Sequence, residues 1–434
     1  MDIVCIGLPA WEGNYQKSTL LLVSELAKKH NVLYVEYPFT VKDFIFNKQA
    51  PKRRMLQSKN GLRKLNLQNG ALVNVLTLPP ILPANGLKNE RLYEAVMDIN
   101  AALVLPRIKK AISSCQMENP TVINAFNPFL GIPLAGKLNE SKLIYYCYDD
   151  MASADWIRLH GTRLEKKMME ISDAVIFSSE TLRDKNEAYN SNSFVVKNGV
   201  DFDLFSKGFK AEQAREVKIG YLGSIDNRID YELLIYSITK HPDWTFEFTG
   251  RKMNGGGWEQ IKGFPNVIFK EPVGSDMLPQ VISTYSVGII PFVKNEFTNC
   301  IYPLKINEYL AAGLPAVSTD FGDLNDFREI ASIESSPEGF ENALVQAVFN
   351  DDKNKKQKRQ EIAGQNTWKA RADEFEAAIK NCKKQAEKIH DFSKVLWNEP
   401  QKLPYPILLK NGKILGQKTE SSANSNEFQW SWSI

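Results

Sequence analysis

Two groups of polar residues have the types and spacing to do chemistry, and the first is Lys305 with Glu308. A helix that begins near Tyr302–Leu304 and stops at Gly313 would put both side chains on one face, three residues apart. The unpaired N–H groups at a helix start attract an anion, and the Lys305 ammonium adds a full positive charge. We therefore expect a diphosphate at this helix start, with the Glu308 carboxylate facing ribose hydroxyls. The alternative is an ordinary surface pair, worth roughly a few tenths of a kcal/mol.

The second group is Asp149 and Asp150, which directly follow the apolar run Leu143–Cys147. A carboxylate at the end of a buried strand can act as a general base, and a neighbouring like charge would raise the pKa of one of the two. The alternative is structural: Asp150 caps the next helix while Asp149 bonds to a turn. His160 is a rival base, although a histidine in that context is more often structural.

The order of short apolar runs and longer amphipathic segments predicts two parallel sheets, each doubly wound by helices. One series of strands precedes the polar stretch Ser206–Glu216, and a second series follows it. Such sheets bind ligands outside the carboxyl ends of their strands. The predicted strands are Ile3–Ile6, Val32–Val35, Leu72–Leu76, Thr121–Ala125, Leu143–Cys147, Ala174–Ser178, Ser193–Lys197, Val217–Leu222, Trp244–Thr249, Val267–Lys270, Val287–Pro291 and Ala316–Thr319, and the first helix is predicted at Ser18–Lys29.

Net charge, cysteine spacing and the lengths of the apolar runs argue against several classes of protein. The 434 residues carry a formal net charge of +3, which is too small for a general nucleic-acid binder. Five scattered cysteines without a CxxC pair argue against a zinc site and against a disulfide framework, so we expect a reducing compartment. The start MDIVCIGLPAW reads as a buried strand rather than a signal peptide, and no apolar run is long enough to span a bilayer.

The segment around Lys305 reads P-x-K-x-x-E-Y-L-A-A-G-x-P-A-V-S-T, and it resembles the donor-binding helix of GT-B glycosyltransferases. The likeness extends to Asn198-Gly-Val-Asp201, to Ile219-Gly-Tyr-Leu-Gly-Ser with Arg228-Ile-Asp230, and to Gly250-Arg251. It covers roughly residues 3 to 380 and is strongest toward bacterial polysaccharide enzymes of the teichuronic acid and xanthan glucuronosyltransferase type.

This resemblance implies a GT-B fold, with two Rossmann-like doubly wound domains facing a cleft. We expect an acceptor-binding domain at 1–208 and a nucleotide-sugar-binding domain at 209–365. A helix at 366–390 is expected to pack back across the domains, and an irregular tail fills 391–434. The resemblance also implies that Lys305 holds the diphosphate and Glu308 the ribose. Further donor-site candidates are Tyr302, Pro303, Leu304, Gly223, Arg251, Thr298 and Asn299, and weaker candidates in the loop before the first helix and at the cleft are Gly13, Asn14, Gln16 and His160.

One departure from the family concerns Cys300. Retaining members carry a glutamate eight residues before the ribose glutamate, and here a thiol stands at that position. A thiol cannot replace a carboxylate beside the donor sugar, so an inverting transfer with an aspartate base is expected. Asp149 matches the aspartate of inverting relatives best, with Asp150 second. Asp201 and Asp203 have the DxD spacing of metal-dependent transferases of another fold, but Lys305 and the helix dipole make a metal unnecessary, so neither metal nor cofactor is expected.

The expected partners are a nucleotide sugar, with UDP the favoured carrier, and a saccharide or lipid-linked acceptor in the cytoplasm. From Lys42 to Lys64 there are eight basic residues and one acidic, interleaved with apolar ones. Such a stretch can lie on the inner face of an anionic membrane, or it can be a solvated loop. Two other functions stay open: a non-catalytic subunit that binds sugar nucleotides, and a sugar-nucleotide epimerase of the same fold.

Overall fold

The computed structural model describes residues 1–12, 17–46, 61–153, 158–210 and 216–384. Within them the strands form two sheets, one in each half of the chain. The first has the order β3-β4-β2-β1-β5-β6-β7-β8 and is parallel except for β3, which runs antiparallel to β4. Its strands are β1 (Asp2–Gly7), β2 (Asn31–Val35), β3 (Leu62–Asn66), β4 (Leu72–Leu76), β5 (Thr121–Ala125), β6 (Lys142–Cys147), β7 (Ala174–Phe177) and β8 (Ser193–Val195).

Helices cover both faces of this sheet because its strands are apolar on both sides. Along β1, Val4 and Ile6 point into one core, while Ile3 and Cys5 point into the other. The helices of this half are α1 (Ser18–Leu26), α2 (Val41–Phe46), α3 (Glu90–Ser114), α4 (Pro128–Leu134), α5 (Arg158–Ile171), α6 (Glu180–Asn186) and α7 (Phe202–Phe205).

The second sheet has the order β11-β10-β9-β12-β13-β14 and is parallel throughout. Its strands are β9 (Lys218–Leu222), β10 (Thr245–Thr249), β11 (Val267–Lys270), β12 (Val287–Ile290), β13 (Ala316–Thr319) and β14 (Ser332–Glu334). The helices are α8 (Tyr231–Lys240), α9 (Leu278–Ile282), α10 (Glu296–Asn299), α11 (Leu304–Ala311), α12 (Pro337–Phe349), α13 (Lys353–Gln365) and α14 (Trp368–Asn381).

The last described helix, α14, packs on the first sheet rather than on the second. Trp368 and Phe375 are buried with α1 in the core on one face of the N-terminal sheet. Burying an aromatic side chain of this kind stabilises the fold by roughly 1.5–3 kcal/mol. Lys29 also pairs with Asp373 at 2.5 Å, so the chain is tied back to its own first helix. The domain boundary at 208–209 stays a prediction.

Direct contacts join the two halves. The Ser179 hydroxyl donates to the carbonyl of Cys300 at 2.7 Å, and the Asn198 side chain donates to the carbonyl of Tyr302 at 3.0 Å. Lys197 pairs with Asp326 at 2.9 Å. These bonds hold the segment that leads into α11 against the N-terminal half.

The main differences from the sequence predictions lie near the N-terminus. Helix α1 ends at Leu26, three residues early, because turns lead from there into β2. Within the basic stretch, β3 was not predicted, and its Arg63 is buried and pairs with Glu12 at 2.7 Å rather than facing outward. Most of that stretch, the loop residues Gly13, Asn14 and Gln16, and the tail at 391–434 lie outside the described residues.

Candidate functional site

The start of α11 is an open helix end with a buried lysine. Pro303 is the residue before the helix, and its side chain makes no capping bond. The Lys305 Nζ lies 5.9 Å from the centre of the Tyr221 ring and 5.8 Å from that of Phe292. Within the described residues the ammonium has neither a hydrogen-bond acceptor nor a carboxylate partner. A buried cation beside unpaired N–H groups is a site that can bind an anion.

Two glycines let the Lys305 side chain approach the sheet. A Cβ on Gly223 would lie 2.5 Å from the Lys305 Cε, and Gly223 has a φ of +129° that other residues rarely adopt. A Cβ on Gly250 would lie 1.8 Å from the Gly223 carbonyl oxygen. Gly223 follows β9, and β9 lies between β10 and β12, where the strand order reverses. The site therefore occupies the position where doubly wound sheets bind ligands.

Burial perturbs both Lys305 and Glu308. It lowers the pKa of the Lys305 ammonium, and the nearby Arg228 charge lowers it further. Burial also raises the pKa of the Glu308 carboxyl, although the Lys305 charge opposes this shift. The Glu308 side chain has no bonded partner in the part of the chain that the structure describes. An anion bound at Lys305 would hold that ammonium in its charged form.

One arginine acts on Lys305 through its charge, and a second follows β10, the strand beside β9. Arg251 follows β10, is half-buried, and has no side-chain partner among the residues described. Arg228 was not predicted as a site residue. It forms a bidentate pair with the Asp226 carboxylate, at 2.9 Å from Nε and at 2.7 Å from Nη2. Its guanidinium lies 5.2 Å from the centre of the Phe292 ring. The Arg228-Ile-Asp230 motif was the signal in the sequence that could have identified it.

Asp149 lies across from this cation group, at the end of β6. Its carboxyl is buried, and burial raises its pKa from 3.8 to about 7. The N–H of Asp150 donates to it at 2.9 Å, and this bond and the Arg228 charge both lower that pKa. The expected repulsion from Asp150 contributes, but it is the smallest cause. Arg228 belongs to the C-terminal half, so the Asp149 carboxyl lies within range of a charge from the other half of the chain.

Asp150 is held in place by its neighbours. Its carboxylate accepts a bond from the Ser153 hydroxyl at 2.5 Å and pairs with Lys185 at 2.9 Å. These bonds fit the structural alternative for Asp150, in which its side chain caps the helical turn that follows β6. Asp149 has no such ion pair in the described ranges, which leaves its carboxylate available for a proton.

Sequence reasoning missed Glu165, a third carboxyl near these aspartates. It lies on the buried side of α5, where it accepts from the Tyr145 hydroxyl at 2.9 Å. Burial raises the pKa of Glu165 to about 8, and the charges of Asp150 and Asp149 add to the effect. Its spacing from the apolar Met168 and Met169 was the available signal, since residues three and four apart share a helix face.

Cys300 packs against the N-terminal half, beside these carboxyls. It is buried in the same apolar cluster as Cys147 and Met151. Burial raises the pKa of its thiol to about 11, and the charge of Asp150 is the next largest cause. The position that carries a glutamate in retaining relatives is therefore closed off from water and already faces negative charge.

Several predicted site residues do other work in the structure. The Thr298 hydroxyl caps α10 and donates to the Val293 carbonyl at 2.5 Å. Tyr302 directs its hydroxyl to Asp326 at 3.3 Å, so only its backbone lies at the start of α11. Leu304 is buried against the N-terminal core, and Asn299 is exposed without a bonded side-chain partner among the described residues.

His160 is fixed in the N-terminal half. Its ring stacks on Tyr93 at 3.8 Å, and its Nε2 lies 2.7 Å from the carbonyl oxygen of Leu87. These contacts fit the structural alternative, and none of them joins His160 to Asp149. Among the described residues, no helix is long and apolar enough to cross a membrane.

Comparisons with known proteins identify the C-terminal half. Residues 216–350 match the family model "Glycosyl transferases group 1". The chain is 28% identical over 214 residues to TuaH of Bacillus subtilis (strain 168), which is named as a teichuronic acid biosynthesis glycosyltransferase. That match covers 44% of this chain and 54% of TuaH, so the chain spans about half the length of its curated relative.

Solved structures match almost the whole fold. Sucrose-phosphate synthase from Thermosynechococcus elongatus has a TM-score of 0.62 at 14% identity, covering 87% of this chain and 98% of that one. HepE of Anabaena, in complex with UDP and glucose, has a TM-score of 0.58 at 15% identity, covering 87% and 99%. Residues 216–350 are thus similar to glycosyl transferases of group 1, and the chain has the two-sheet fold of these solved structures.

Proposed function

We propose that this chain transfers a glycosyl group from a nucleotide sugar to a hydroxyl of a saccharide or lipid-linked acceptor, with inversion at the anomeric carbon. The observation that carries the proposal is the buried Lys305, which has no bonded partner in the described part of the chain, at an uncapped helix start. The buried Asp149 on the other half of the chain supplies a base near the same site.

The C-terminal half binds the donor in this proposal. The N–H groups at the start of α11, Lys305 and Arg251 hold the diphosphate, and Glu308 accepts bonds from the ribose hydroxyls. The charge that develops on the leaving diphosphate then meets a fixed helix dipole and a fixed ammonium, which stabilises the transition state. Gly223 contributes by its lack of a side chain, since any larger residue would displace the Lys305 side chain.

The N-terminal half activates the acceptor. Asp149 takes the hydroxyl proton as the acceptor oxygen attacks the anomeric carbon from the face opposite the diphosphate. The bond from the anomeric carbon to the phosphate oxygen breaks, and the nucleoside diphosphate leaves with the bonding electrons. A carboxyl with a pKa of about 7 suits this step, because a base works best when its pKa is near the working pH.

UDP is the nucleotide we propose, and polysaccharide biosynthesis is the setting. HepE, which shares the fold, is described in complex with UDP and glucose, and TuaH is named for teichuronic acid biosynthesis. Starch synthase IV from Arabidopsis thaliana, another structural neighbour, is bound to ADP. The nucleobase that this chain prefers in its donor therefore needs a direct test.

The test is a panel of UDP-, GDP- and ADP-sugars given to the full chain, with release of the nucleoside diphosphate as the readout. We expect slow hydrolysis of a UDP-sugar without acceptor, together with thermal stabilisation by UDP. A ligand at a hundredfold excess over its Kd stabilises a protein by about 2.7 kcal/mol, which a melting curve detects. Stabilisation without turnover of any donor would favour a non-catalytic nucleotide-sugar-binding subunit, and no stabilisation by any nucleotide would refute the site.

A further inference from the structure

Exposed apolar side chains are concentrated on one surface of the N-terminal half, which we call the α2–α3 face. Single exposed hydrophobic residues are common on proteins, but a group of them on one surface marks an interaction site. Ile99 and Leu103 are each 50% exposed, and Phe46 is 77% exposed. The members of the face are Val41, Ile45, Phe46, Leu82, Leu92, Ile99 and Leu103.

Hydrogen bonds show that the parts of this face are neighbours. The side chain of Asn100 on α3 accepts from the N–H of Leu82 at 2.8 Å and donates to its carbonyl at 2.9 Å. The N–H of Val41, the first residue of α2, donates to the carbonyl of Ile81 at 2.9 Å. Leu82 therefore lies beside α3, and its neighbour Ile81 lies beside the start of α2, which brings exposed apolar residues of the two helices close together.

Cations continue the apolar stripe along α3. At 3.6 residues per turn, Leu92, Ile99, Leu103, Arg107 and Lys110 lie within roughly 80° of one another around the helix. Arg107 and Lys110 are exposed and have no bonded side-chain partner among the described residues. The stripe is thus apolar in its first part and positive at its end.

The acidic residues nearby are paired, hydrogen-bonded within the fold or off the stripe. Glu90 and Glu94 both bind Arg163, at 3.6 Å and 2.6 Å, and they lie about 100° or more from the stripe. Asp43 accepts bonds from the N–H and the hydroxyl of Thr40, at 2.7 Å and 2.8 Å. Asp98 is exposed on α3 but also lies off the stripe. The net charge that the face presents is therefore positive.

We propose that the α2–α3 face lies on an anionic lipid bilayer. Leucine, isoleucine and phenylalanine side chains would enter the headgroup region, while Arg107 and Lys110 meet lipid phosphates. This inference goes beyond the proposed transfer, since a chain without transferase activity could bind lipid in the same way.

The experiment is co-sedimentation of the full chain with vesicles of equal parts phosphatidylcholine and phosphatidylglycerol. We expect binding that weakens as salt is raised and that is lost with phosphatidylcholine alone. The double substitution Ile99→Glu with Leu103→Glu should lower the bound fraction at least about tenfold. The matched control, Ile268→Glu with Phe349→Glu, changes two exposed hydrophobic residues of the C-terminal half and should bind like the unchanged chain.

All four side chains are exposed, so the variants should fold, and circular dichroism checks this. Binding that is equal in both double variants, or absent in the unchanged chain, would overturn the proposal. Sedimentation velocity adds a second test. If the unchanged chain is a dimer that dissociates only in the Ile99→Glu, Leu103→Glu variant, the α2–α3 face is a dimer interface and the membrane proposal is wrong. Nucleoside diphosphate release measured without vesicles tests the proposed transfer separately.

Discussion

The two halves of this chain use the same sheet architecture but carry opposite charges where their strands end. Beyond β9 and β10 the C-terminal half has Lys305 and Arg251, which lack partners within the described residues. Beyond β6 the N-terminal half has Asp149 and Asp150, with Glu165 packed close by. A cleft with cations on one side and carboxyls on the other suits a reaction in which an anion leaves while a proton is taken up.

Helix starts show the same contrast within the C-terminal half. The helices α12, α13 and α14 are capped by the side chains of Ser336, Asp352 and Thr367. Helix α11 begins after Pro303 without such a bond. A missing cap lowers the stability of a helix by roughly 1 kcal/mol. The start of α11 is therefore less stable than a capped start, at the point where we propose that the diphosphate binds.

The largest expected effect comes from removing the base. Asp149→Asn keeps the size of the side chain but cannot take a proton, so donor turnover should fall about a thousandfold. Affinity for UDP, measured by calorimetry, should stay the same because the donor site belongs to the other half. Asp150→Asn is the control, with a loss of about tenfold, since Asp150 is tied to Lys185 and Ser153. Equal losses in both variants would remove the distinction between the two aspartates.

A carboxylate at position 300 should destabilise the boundary between the halves. Cys300→Glu would bury a further acid beside Asp149, Asp150 and Glu165, at a cost of roughly 2–4 kcal/mol in the free energy of unfolding. The penalty should shrink as the pH falls, because the new carboxyl is neutral once protonated. Chemical denaturation at pH 8 and pH 5 measures both effects. Cys300→Ser, the matched control, should cost about 1 kcal/mol with little dependence on pH.

Removing the Lys305 ammonium should weaken only the binding of the diphosphate at the proposed donor site. Lys305→Met should weaken UDP binding about ten- to a hundredfold, because a hydrogen bond to a charged group contributes about 1.5–3 kcal/mol. Binding of uridine, which lacks the diphosphate, should not change. Lys240→Met, which alters an exposed lysine at the end of α8, should leave both affinities intact. If the Lys305→Met variant keeps its UDP affinity, the diphosphate does not bind at Lys305.

The pH dependence of turnover gives the smallest and most specific effect. Asp149 must be unprotonated to act as a base, and its pKa is raised to about 7. The value of kcat/KM should therefore fall about tenfold for each pH unit below about 7 and level off above it. An unperturbed aspartate would keep its activity down to about pH 4. A profile that is flat between pH 5 and pH 8 would exclude Asp149 as the base.

Much of the fold and half of the site could be read from the sequence. The apolar runs that predicted β5 and β13 match the observed strands to the residue, because fully buried parallel strands are continuous in sequence. Lys305, Glu308 and the stop at Gly313 belong to one helix and its local signals. The short edge strand β3 escaped prediction because its charged residues, including the buried Arg63, read as a basic surface.

The sequence by itself determined the α/β class, the two series of strands and the helix that carries Lys305 in its first turn, since each depends on residues close together in the chain. Tertiary structure alone decided the rest. It brought Arg228 within range of Asp149, buried Glu165 behind β6 and turned Cys300 toward the N-terminal core. These relations join residues more than a dozen positions apart, and burial, which sets the pKa of each acid, exists only after the two halves have packed.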